Sequence, residues 1–141
     1  MEPREVHGRA APTSLQESFR PVLIDTTQLA LERTISGAAQ RHEALAANLA
    51  NATTPGYQRV DVDFHGALAA ALGSDDARHA VESTGFTTQA DQTVGATKAD
   101  GGSIDVDAES AKLSANGLEY EALASAARTR MDILRSAMGV G

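Results

Sequence analysis

The sequence contains no cysteine and no tryptophan, and it has only three Phe and two Tyr among 141 residues. The absence of cysteine excludes disulfides, thiolate metal sites and cysteine nucleophiles. Large side chains for a core are scarce, because alanine supplies much of the 42% hydrophobic content. Burying one Leu or Phe contributes roughly 1.5–3 kcal/mol, whereas ordering each residue costs about 1–2 kcal/mol of backbone entropy. We therefore expect one domain at most, marginally stable as an isolated monomer.

Long apolar runs and an excess of positive charge are missing as well. No run of 18 apolar residues occurs, and the first residues lack the apolar region of a cleaved signal peptide. We therefore expect no membrane insertion and no export through a cleaved signal. The net charge is −7, from 12 Lys and Arg against 19 Asp and Glu, which argues against nucleic-acid binding.

Motifs of catalysis and cofactor binding are absent too: no GxSxG, P-loop, GxGxxG or HExxH pattern occurs. We expect no enzyme and no cofactor. On a strand, Asp61, Asp63 and His65 would share a face and could offer two carboxylates and an imidazole to a divalent metal. A solvated acidic face is the preferred interpretation. The EF-hand-like start at Asp61 fails because Leu72 occupies position 12, where a bidentate Glu is required.

The first long periodic segment predicts a helix over residues 25–54. Asp25 followed by Gln28 resembles a capping box and marks its start. Apolar positions then recur at alternating spacings of four and three, which is typical of a coiled-coil seam. We expect His42, which interrupts this seam, to be structural rather than a metal ligand or pH switch. The seam positions are Leu31, Ile35, Ala38, His42, Leu45, Leu49 and Ala52.

A turn, a strand and a short helix are predicted over residues 55–73. Pro55 pushes the residue before it out of the helical region, so the first helix ends at or before Thr54. Gly56 can adopt the positive φ of a type II turn. Residues 60–64 alternate apolar and acidic side chains, which predicts a half-buried strand. Phe64, Leu68 and Leu72 then share one face of a short helix that ends at Gly73.

Two segments lack periodicity. Residues 1–24 are interpreted as a flexible N-terminal arm, and residues 74–103, rich in Gly, Thr, Ser, Asp and Gln, as an exposed flexible insertion without regular structure. Phe86 and Val94 could form a short hairpin within the insertion, and the sequence leaves this open.

The second long helix is predicted over residues 104–141. Asp105 is a suitable N-cap, and Asp107 and Glu109 add negative charge that complements the helix dipole. The predicted fold is mainly α, with two long terminal helices forming an antiparallel coiled-coil hairpin around a short extended segment and a flexible middle loop. The seam columns are Val106, Leu113, Tyr120, Ala127 and Leu134, then Gly117, Ala124, Met131 and Met138; Leu123 is counted with the seam.

Arg41 comes seven residues before a run in which Asn48 and Asn51 lead into Thr54, Pro55, Gly56 and Tyr57, and Asn116 and Tyr120 lie four apart in the second predicted helix. These two motifs resemble those of the flagellar rod and hook family. An Arg followed by Asn-x-x-Asn-x-x-Thr-Pro-Gly-Tyr characterises the N-terminal region of that family, and Asn-x-x-x-Tyr its last helix. The resemblance covers residues 29–72 and 104–141, and the short middle favours the proximal-rod members. The matching residues are Arg41, Asn48, Asn51, Thr54, Pro55, Gly56 and Tyr57, which lead into Phe64, and later Asn116 and Tyr120.

The resemblance implies a structural subunit of the flagellar basal-body rod that transmits torque. Its terminal helices would form the inner layer of an axial tube. It also implies self-association, contacts with other rod subunits and with membrane-ring/rod junction proteins, a periplasmic location, and export through the flagellar type III apparatus. Pro55 and Gly56 would set the corner angle, and Asn48, Asn51 and Tyr57 would lock the turn to a neighbour. The alternatives are another axial rod or hook component, or a soluble helical-hairpin adaptor for a partner helix.

Overall fold

The computed structural model describes residues 25–91 and 104–139. The arm expected at 1–24, the second part of the expected insertion and the last two residues lie outside the described residues. The prediction of a mainly helical protein is confirmed. The elements in chain order are α1 (Thr26–Ala50), β1 (Val60–Asp61), α2 (Phe64–Leu72), α3 (Ala77–Ser83), β2 (Gln89–Ala90) and α4 (Val106–Ala137).

The two long helices begin at the caps that the sequence predicts. A carboxylate oxygen of Asp25 accepts a hydrogen bond of 2.8 Å from the backbone N–H of Gln28. Asp105 accepts two, from Asp107 N at 3.0 Å and Ala108 N at 3.1 Å. Each cap satisfies backbone donors that the first helical turn leaves unpaired.

Helices α1 and α4 pack against each other in antiparallel orientation. The start of α1 contacts the far part of α4, where Arg130 binds Asp25 at 2.6 Å. In the middle, the Asn116 amide donates to the carbonyl oxygen of Ala38 at 2.9 Å. Near the end of α1, Asn48 contacts Glu109 at the start of α4. Residue numbers thus rise along one helix as they fall along the other.

The middle of the chain forms a small sheet and two short helices against α1. Strands β1 and β2 pair antiparallel, with Val60 opposite Ala90 and Asp61 opposite Gln89. The strand predicted over residues 60–64 is wrong beyond Asp61. The reason is Asp63, whose carboxylate accepts the Gly66 N–H at 2.9 Å and caps α2. Helix α2 then ends at the predicted position, with Gly73 as its C-cap.

The segment that follows α2 is more regular than predicted. Helix α3 and strand β2 occupy positions expected to have no regular structure. Val81 of α3 is fully buried and packs with Leu68 and Ala71 of α2. Phe86 packs edge-on to Phe64, with ring centroids 6.2 Å apart, while Val94 lies outside the described residues. A seven-residue helix with one buried apolar anchor is too short to produce a recognisable period.

The seam between α1 and α4 differs from the predicted one by one residue in one column. Its observed members are Glu109, Asn116, Leu123 and Arg130, whereas Met131 and Met138 are exposed. In the other predicted column, Leu113, Ala127 and Leu134 are half-buried, whereas Val106 and Tyr120 are exposed. In α1, Leu45 is buried and Leu31, Ile35 and Leu49 are half-buried, but His42 is exposed and the buried Asn48 faces inward. Because polar residues occupy several of the contact positions between α1 and α4, the hydrophobic pattern alone did not give the correct register of the seam.

The main core cluster depends on one close approach between helices. Gly37 of α1 lies so near Phe64 that a Cβ added at Gly37 would be 2.4 Å from the Cβ of Phe64. Phe64 is fully buried, together with Ala38 and Val62. Within residues 25–91 and 104–139, no helix is both long enough and apolar enough to cross a membrane.

Candidate functional site

The side chain of Asn48 connects three elements of the fold. Its amide nitrogen donates to the Val60 carbonyl and to a Glu109 carboxylate oxygen, both at 2.6 Å. Its oxygen accepts from the Val60 N–H at 2.9 Å and from the Tyr57 hydroxyl at 3.3 Å. Asn48 is fully buried, and its two donors and two acceptor positions are all used. The residue therefore joins α1, β1 and α4.

A buried ion pair lies directly beside Asn48. The Arg59 guanidinium donates to the second carboxylate oxygen of Glu109 at 2.7 Å and also binds Asp91. Arg59 and Glu109 are 4% and 2% exposed. Burial lowers the pKa of Arg59, but the hydrogen bond and charge of Glu109, together with Asp91, outweigh it and leave the pKa above its ordinary value. Loss of one partner of such a pair leaves an uncompensated buried charge, which is strongly destabilising.

The Arg of the family motif makes a second ion pair at the edge of the sheet. Arg41 donates to both oxygens of Asp61, at 2.9 and 3.1 Å. This hydrogen-bonded carboxylate raises the pKa of Arg41 despite partial burial. The bidentate geometry fixes β1 against α1 because two parallel hydrogen bonds restrict both distance and angle. We call Arg41, Asn48, Arg59, Asp61, Asp91 and Glu109 the polar cluster.

The corner after α1 has the geometry that its residues predict. The N–H of Tyr57 bonds the Thr54 carbonyl at 3.3 Å, and Gly56 has φ +76°. With Pro55 in second place, this is the pattern of a type II turn. Asn51 caps α1, and its amide donates to the Ala47 carbonyl at 2.9 Å. Pro55 and Gly56 are exposed.

The motif residues therefore divide into an inward group and an exposed group. The expectation that Asn48 meets a neighbouring subunit is wrong, because its side chain is buried and fully bonded within the chain. Thr54, Pro55 and Gly56 are accessible at the corner. Asn116 of the second motif is also inward, at 2% exposure, whereas Tyr120 is 41% exposed.

An open cleft of about 430 Å³ lies beside the sheet, lined in part by Arg41, Asp61, Asp63, His65 and Asp91. Its acidic residues already have partners: Asp61 binds Arg41, and Asp63 caps α2. The His65 ring lies 2.6 Å from Glu119 of α4. Across the described part of the chain, no group of three His, Cys, Asp or Glu side chains has the arrangement of a metal site.

Sequence reasoning missed three members of the polar cluster: Arg59, Asp91 and Glu109. Glu109 was explained by the helix dipole alone. Its spacing of seven from Asn116, and of seven again to Leu123 and Arg130, could have placed it on the seam. No sequence pattern marks Arg59 or Asp91, because their pairing depends on how β1 and β2 align.

Comparison with known proteins agrees with the motif analysis. The family described as flagella basal body rod protein matches residues 29–58. The flagellar basal body rod protein FlgB of Escherichia coli (strain K12) is 34% identical over 117 residues, which cover 70% of this chain and 85% of the relative. FlgB of Proteus mirabilis (strain HI4320) is 33% identical over 98 residues, or 59% of this chain and 72% of the relative.

A shorter match is more similar still. FlgB of Salmonella typhimurium is 73% identical over 26 residues, 18% of this chain and 19% of the relative. The level of identity to the Escherichia coli protein, and the share of that protein covered, show common descent over most of the fold. The chain therefore belongs to the flagellar basal body rod protein family and is a structural subunit of the rod.

Proposed function

We propose that the chain occupies the proximal rod, where α1 and α4 form an antiparallel coiled coil in the inner layer of the tube and carry torque between neighbouring subunits. The observation that carries this proposal is the apolar surface of α4. Six of the seven large hydrophobic residues that are exposed among the described residues lie on α4 or cap it. These six are Val106, Leu118, Tyr120, Met131, Ile133 and Met138.

The position of these residues favours contacts between subunits. Leu118 and Ile133 are 69% and 64% exposed. Helical geometry places Leu118 on the side of α4 that faces away from α1 and Ile133 on a flank of the helix, about 80–100° from the buried Asn116 and the half-buried Leu123. Exposed apolar surface on one helix face is typical of a protein interaction site. In this proposal, neighbouring subunits cover the outer face.

The exposed corner gives a second contact. Nothing lies within 4 Å of a Cβ built at Gly56, and Thr54 and Pro55 beside it are accessible. We assign this corner to a neighbouring subunit, whereas Asn48 and Tyr57 hold it in place from inside. Other rod subunits and the membrane-ring/rod junction proteins are the partners in this proposal. The subunit reaches the periplasm through the flagellar type III export apparatus, without a cleaved signal peptide.

The adaptor alternative receives no support from the comparisons, because the relatives that this chain matches over most of their length are rod proteins. Within the family, the competing assignment is another axial rod or hook component. Family members occupy different positions along the axis, so the location of this chain in isolated basal bodies distinguishes a proximal-rod subunit from another axial component.

The experiment changes the outer face of α4. Leu118→Glu with Ile133→Glu adds two charges to exposed positions, so the free chain should keep its helix content by circular dichroism. In cells without the native copy, we expect loss of the subunit from isolated basal bodies, with export intact, and loss of motility. The matched control, His42→Glu with Ala50→Glu, adds two acidic residues at exposed positions of α1 and should assemble. Normal incorporation of the α4 variant at wild-type levels would contradict the proposal.

A further inference from the structure

The side of the helix pair that faces away from α2 carries a groove, and two residues of α1 form its first wall. Gly37 of α1 lies against Phe64 of α2 and therefore marks the α2 side of the helix. At about 100° per residue, Ile35 lies about 160° around α1 from Gly37, and Leu31 about 120°. Both are half-buried. Ile35 and Leu31 therefore flank the seam on the side away from α2.

Two residues of α4 form the second wall. Glu119 marks the α2 side of α4, because it contacts His65 of α2. Tyr120 lies about 100° from Glu119 and Ala124 about 140°, both in the direction that passes over the buried Asn116. Tyr120 is 41% exposed and Ala124 is half-buried. This wall therefore also lies on the side away from α2.

The two walls stand at the same level of the helix pair. Asn116 binds the carbonyl of Ala38. Ile35 comes three residues before Ala38, and Tyr120 comes four residues after Asn116, so the antiparallel helices bring them opposite each other. The exposed His42 ends the groove on the far side of Ala38. We call the four wall residues the back groove: Leu31, Ile35, Tyr120 and Ala124.

The opposite side of α4 carries an exposed apolar ridge. Its five residues fall within an arc of about 80° around the helix, and all five are exposed. We call them the α4 ridge: Ala115, Leu118, Ala122, Ala126 and Ile133. Ala122 lies about 160° from both Tyr120 and Ala124, so the ridge points away from the back groove. The small alanine side chains beside Leu118 allow another helix to approach closely.

We propose that the α4 ridge of one copy packs into the back groove of the next copy. The inference rests on the proposed function and names the neighbour that covers the outer face of α4. The contact adds a third helix to the α1–α4 pair, because the groove walls are the flanks of that seam.

The placement of the two faces favours a second copy over a different partner. Each copy carries an uncharged groove and an uncharged ridge on opposite sides of one helix, so one repeated contact covers both faces in every copy. A different partner would cover one face and leave the other exposed. A contact between two different faces is heterologous and generates a ring or an open helical assembly, which is the form that a rod requires.

The absence of cysteine makes disulfide trapping between copies a direct test. Ala122→Cys places a thiol on the α4 ridge, and Ala124→Cys places one in the back groove. These thiols point to opposite sides of one helix and cannot bond within a copy, because a disulfide requires Cβ atoms that face each other. Ala115→Cys and Ala126→Cys replace Ala122→Cys in two further pairs, which sample other levels of the ridge. The matched control combines Ala122→Cys with Glu43→Cys, at an exposed position of α1 outside the groove.

Basal bodies are isolated from cells that carry each variant in place of the native copy, oxidised, and analysed by non-reducing electrophoresis. We expect at least one test pair to give a ladder of linked dimers, trimers and larger species, at least about tenfold more abundant than in the control, because contact raises the effective concentration of the thiols. Each single variant should remain monomeric, since its thiol meets a face without one.

Two outcomes would overturn the proposal. Dimers formed by a single variant would indicate a symmetric contact between identical faces. Incorporation of all test variants without a ladder would mean that another rod protein covers the α4 ridge. This second outcome leaves the proposed function intact, because the subunit would still assemble through the outer face of α4.

A variant that fills the groove gives an independent test. Ala124→Phe keeps the position apolar but occupies the back groove, so the free chain should keep its helix content by circular dichroism while incorporation into basal bodies is lost. Glu43→Phe introduces the same side chain outside the groove and should assemble. Incorporation of Ala124→Phe at the wild-type level would overturn the proposal.

Discussion

Asn48 and Glu109 stand 61 residues apart in the sequence, yet the amide nitrogen of Asn48 lies 2.6 Å from a carboxylate oxygen of Glu109 in the buried interior. Glu109 in turn binds Arg59 through its other oxygen. The N-terminal motif, the strand after the corner and the start of α4 are therefore joined by one carboxylate. Neither terminal region can complete the polar cluster without the other.

Glu109→Gln should destabilise the subunit by about 3 kcal/mol, because it leaves Arg59 buried without its main counter-charge while Asp91 still compensates in part. Glu121→Gln is the matched control, since it makes the same chemical change at an exposed position of α4 and should alter stability by less than about 0.5 kcal/mol. Urea unfolding followed by circular dichroism measures both. Equal midpoints for the two variants would contradict the role assigned to Glu109.

Two glycines in the long helices should respond in opposite directions to the same substitution. Gly37→Ala places a Cβ 2.4 Å from the Cβ of Phe64, and such overpacking should cost about 1–3 kcal/mol or more. Gly117→Ala meets nothing within 4 Å and should stabilise α4 by about 0.5–1 kcal/mol, since alanine restricts the unfolded chain. Thermal unfolding of the two variants gives the comparison. A stabilised Gly37→Ala would show that the α1–α2 approach is looser than described.

Gly56→Val should impair assembly through the backbone alone. The residue has φ +76° and open space around it, so the cost is conformational strain of about 1–2 kcal/mol rather than a clash. Complemented cells should lose motility on soft agar, whereas Gly56→Asn should retain it because asparagine tolerates this conformation. Gly85→Val, also in open space but without a positive φ, is the control. Motility equal to wild type in Gly56→Val would contradict the proposed role of the corner.

The Asp25 cap predicts acid sensitivity of the end of the helix pair. The hydrogen bond from the Gln28 backbone, opposed by partial desolvation and aided by the charge of Arg130, lowers the pKa of Asp25 below 3.8. A carboxylate with a lowered folded-state pKa stabilises the fold fully above its unfolded pKa of about 3.9, and this contribution is lost as the pH falls through the folded value.

Asp25→Asn tests this dependence, because asparagine also caps helices but cannot pair with Arg130 as a charge. The wild type should be more stable than the variant at pH 7, and the difference should shrink as the pH falls below about 4. Asp132→Asn, at a largely exposed position, should show a much smaller dependence. A constant difference between wild type and Asp25→Asn from pH 7 to pH 2.5 would contradict the assignment. Free energies of unfolding from urea titrations at each pH provide the measurement.

Local signals predicted the positions of the main elements. The caps at Asp25 and Asp105, the missing N–H of Pro55 and the helix end at Gly73 all act within a few residues of these positions. Their effects can therefore be predicted from the local sequence alone. The turn chemistry of Pro55 and Gly56 likewise predicted the corner and the positive φ at Gly56. These features need no knowledge of what packs against them.

Features that depend on distant contacts were harder to predict. The alternation at residues 60–64 indicated a longer strand, but the capping bond of Asp63 to Gly66 starts a helix there. Helix α3 is stabilised by the packing of Val81 against α2. The sequence of α3 itself shows no hydrophobic periodicity that would predict this contact. The polar cluster was invisible for a further reason. A hydrophobic pattern assigns charged residues such as Glu109 to the surface. Only the structure shows that Arg59 neutralises Glu109 and allows it to be buried.

The contacts Asp25–Arg130, Ala38–Asn116 and Asn48–Glu109 lie at three levels along the helix pair. A seam lined mainly by alanine and leucine is nearly smooth, and a slip by one heptad would exchange one set of apolar contacts for another. Because of these polar contacts, the same slip of about 10 Å would leave the Asn116 amide and the buried Glu109 carboxylate without their hydrogen-bond partners on α1. For a rod subunit, these contacts resist sliding of the two helices along each other, which apolar packing alone would not prevent.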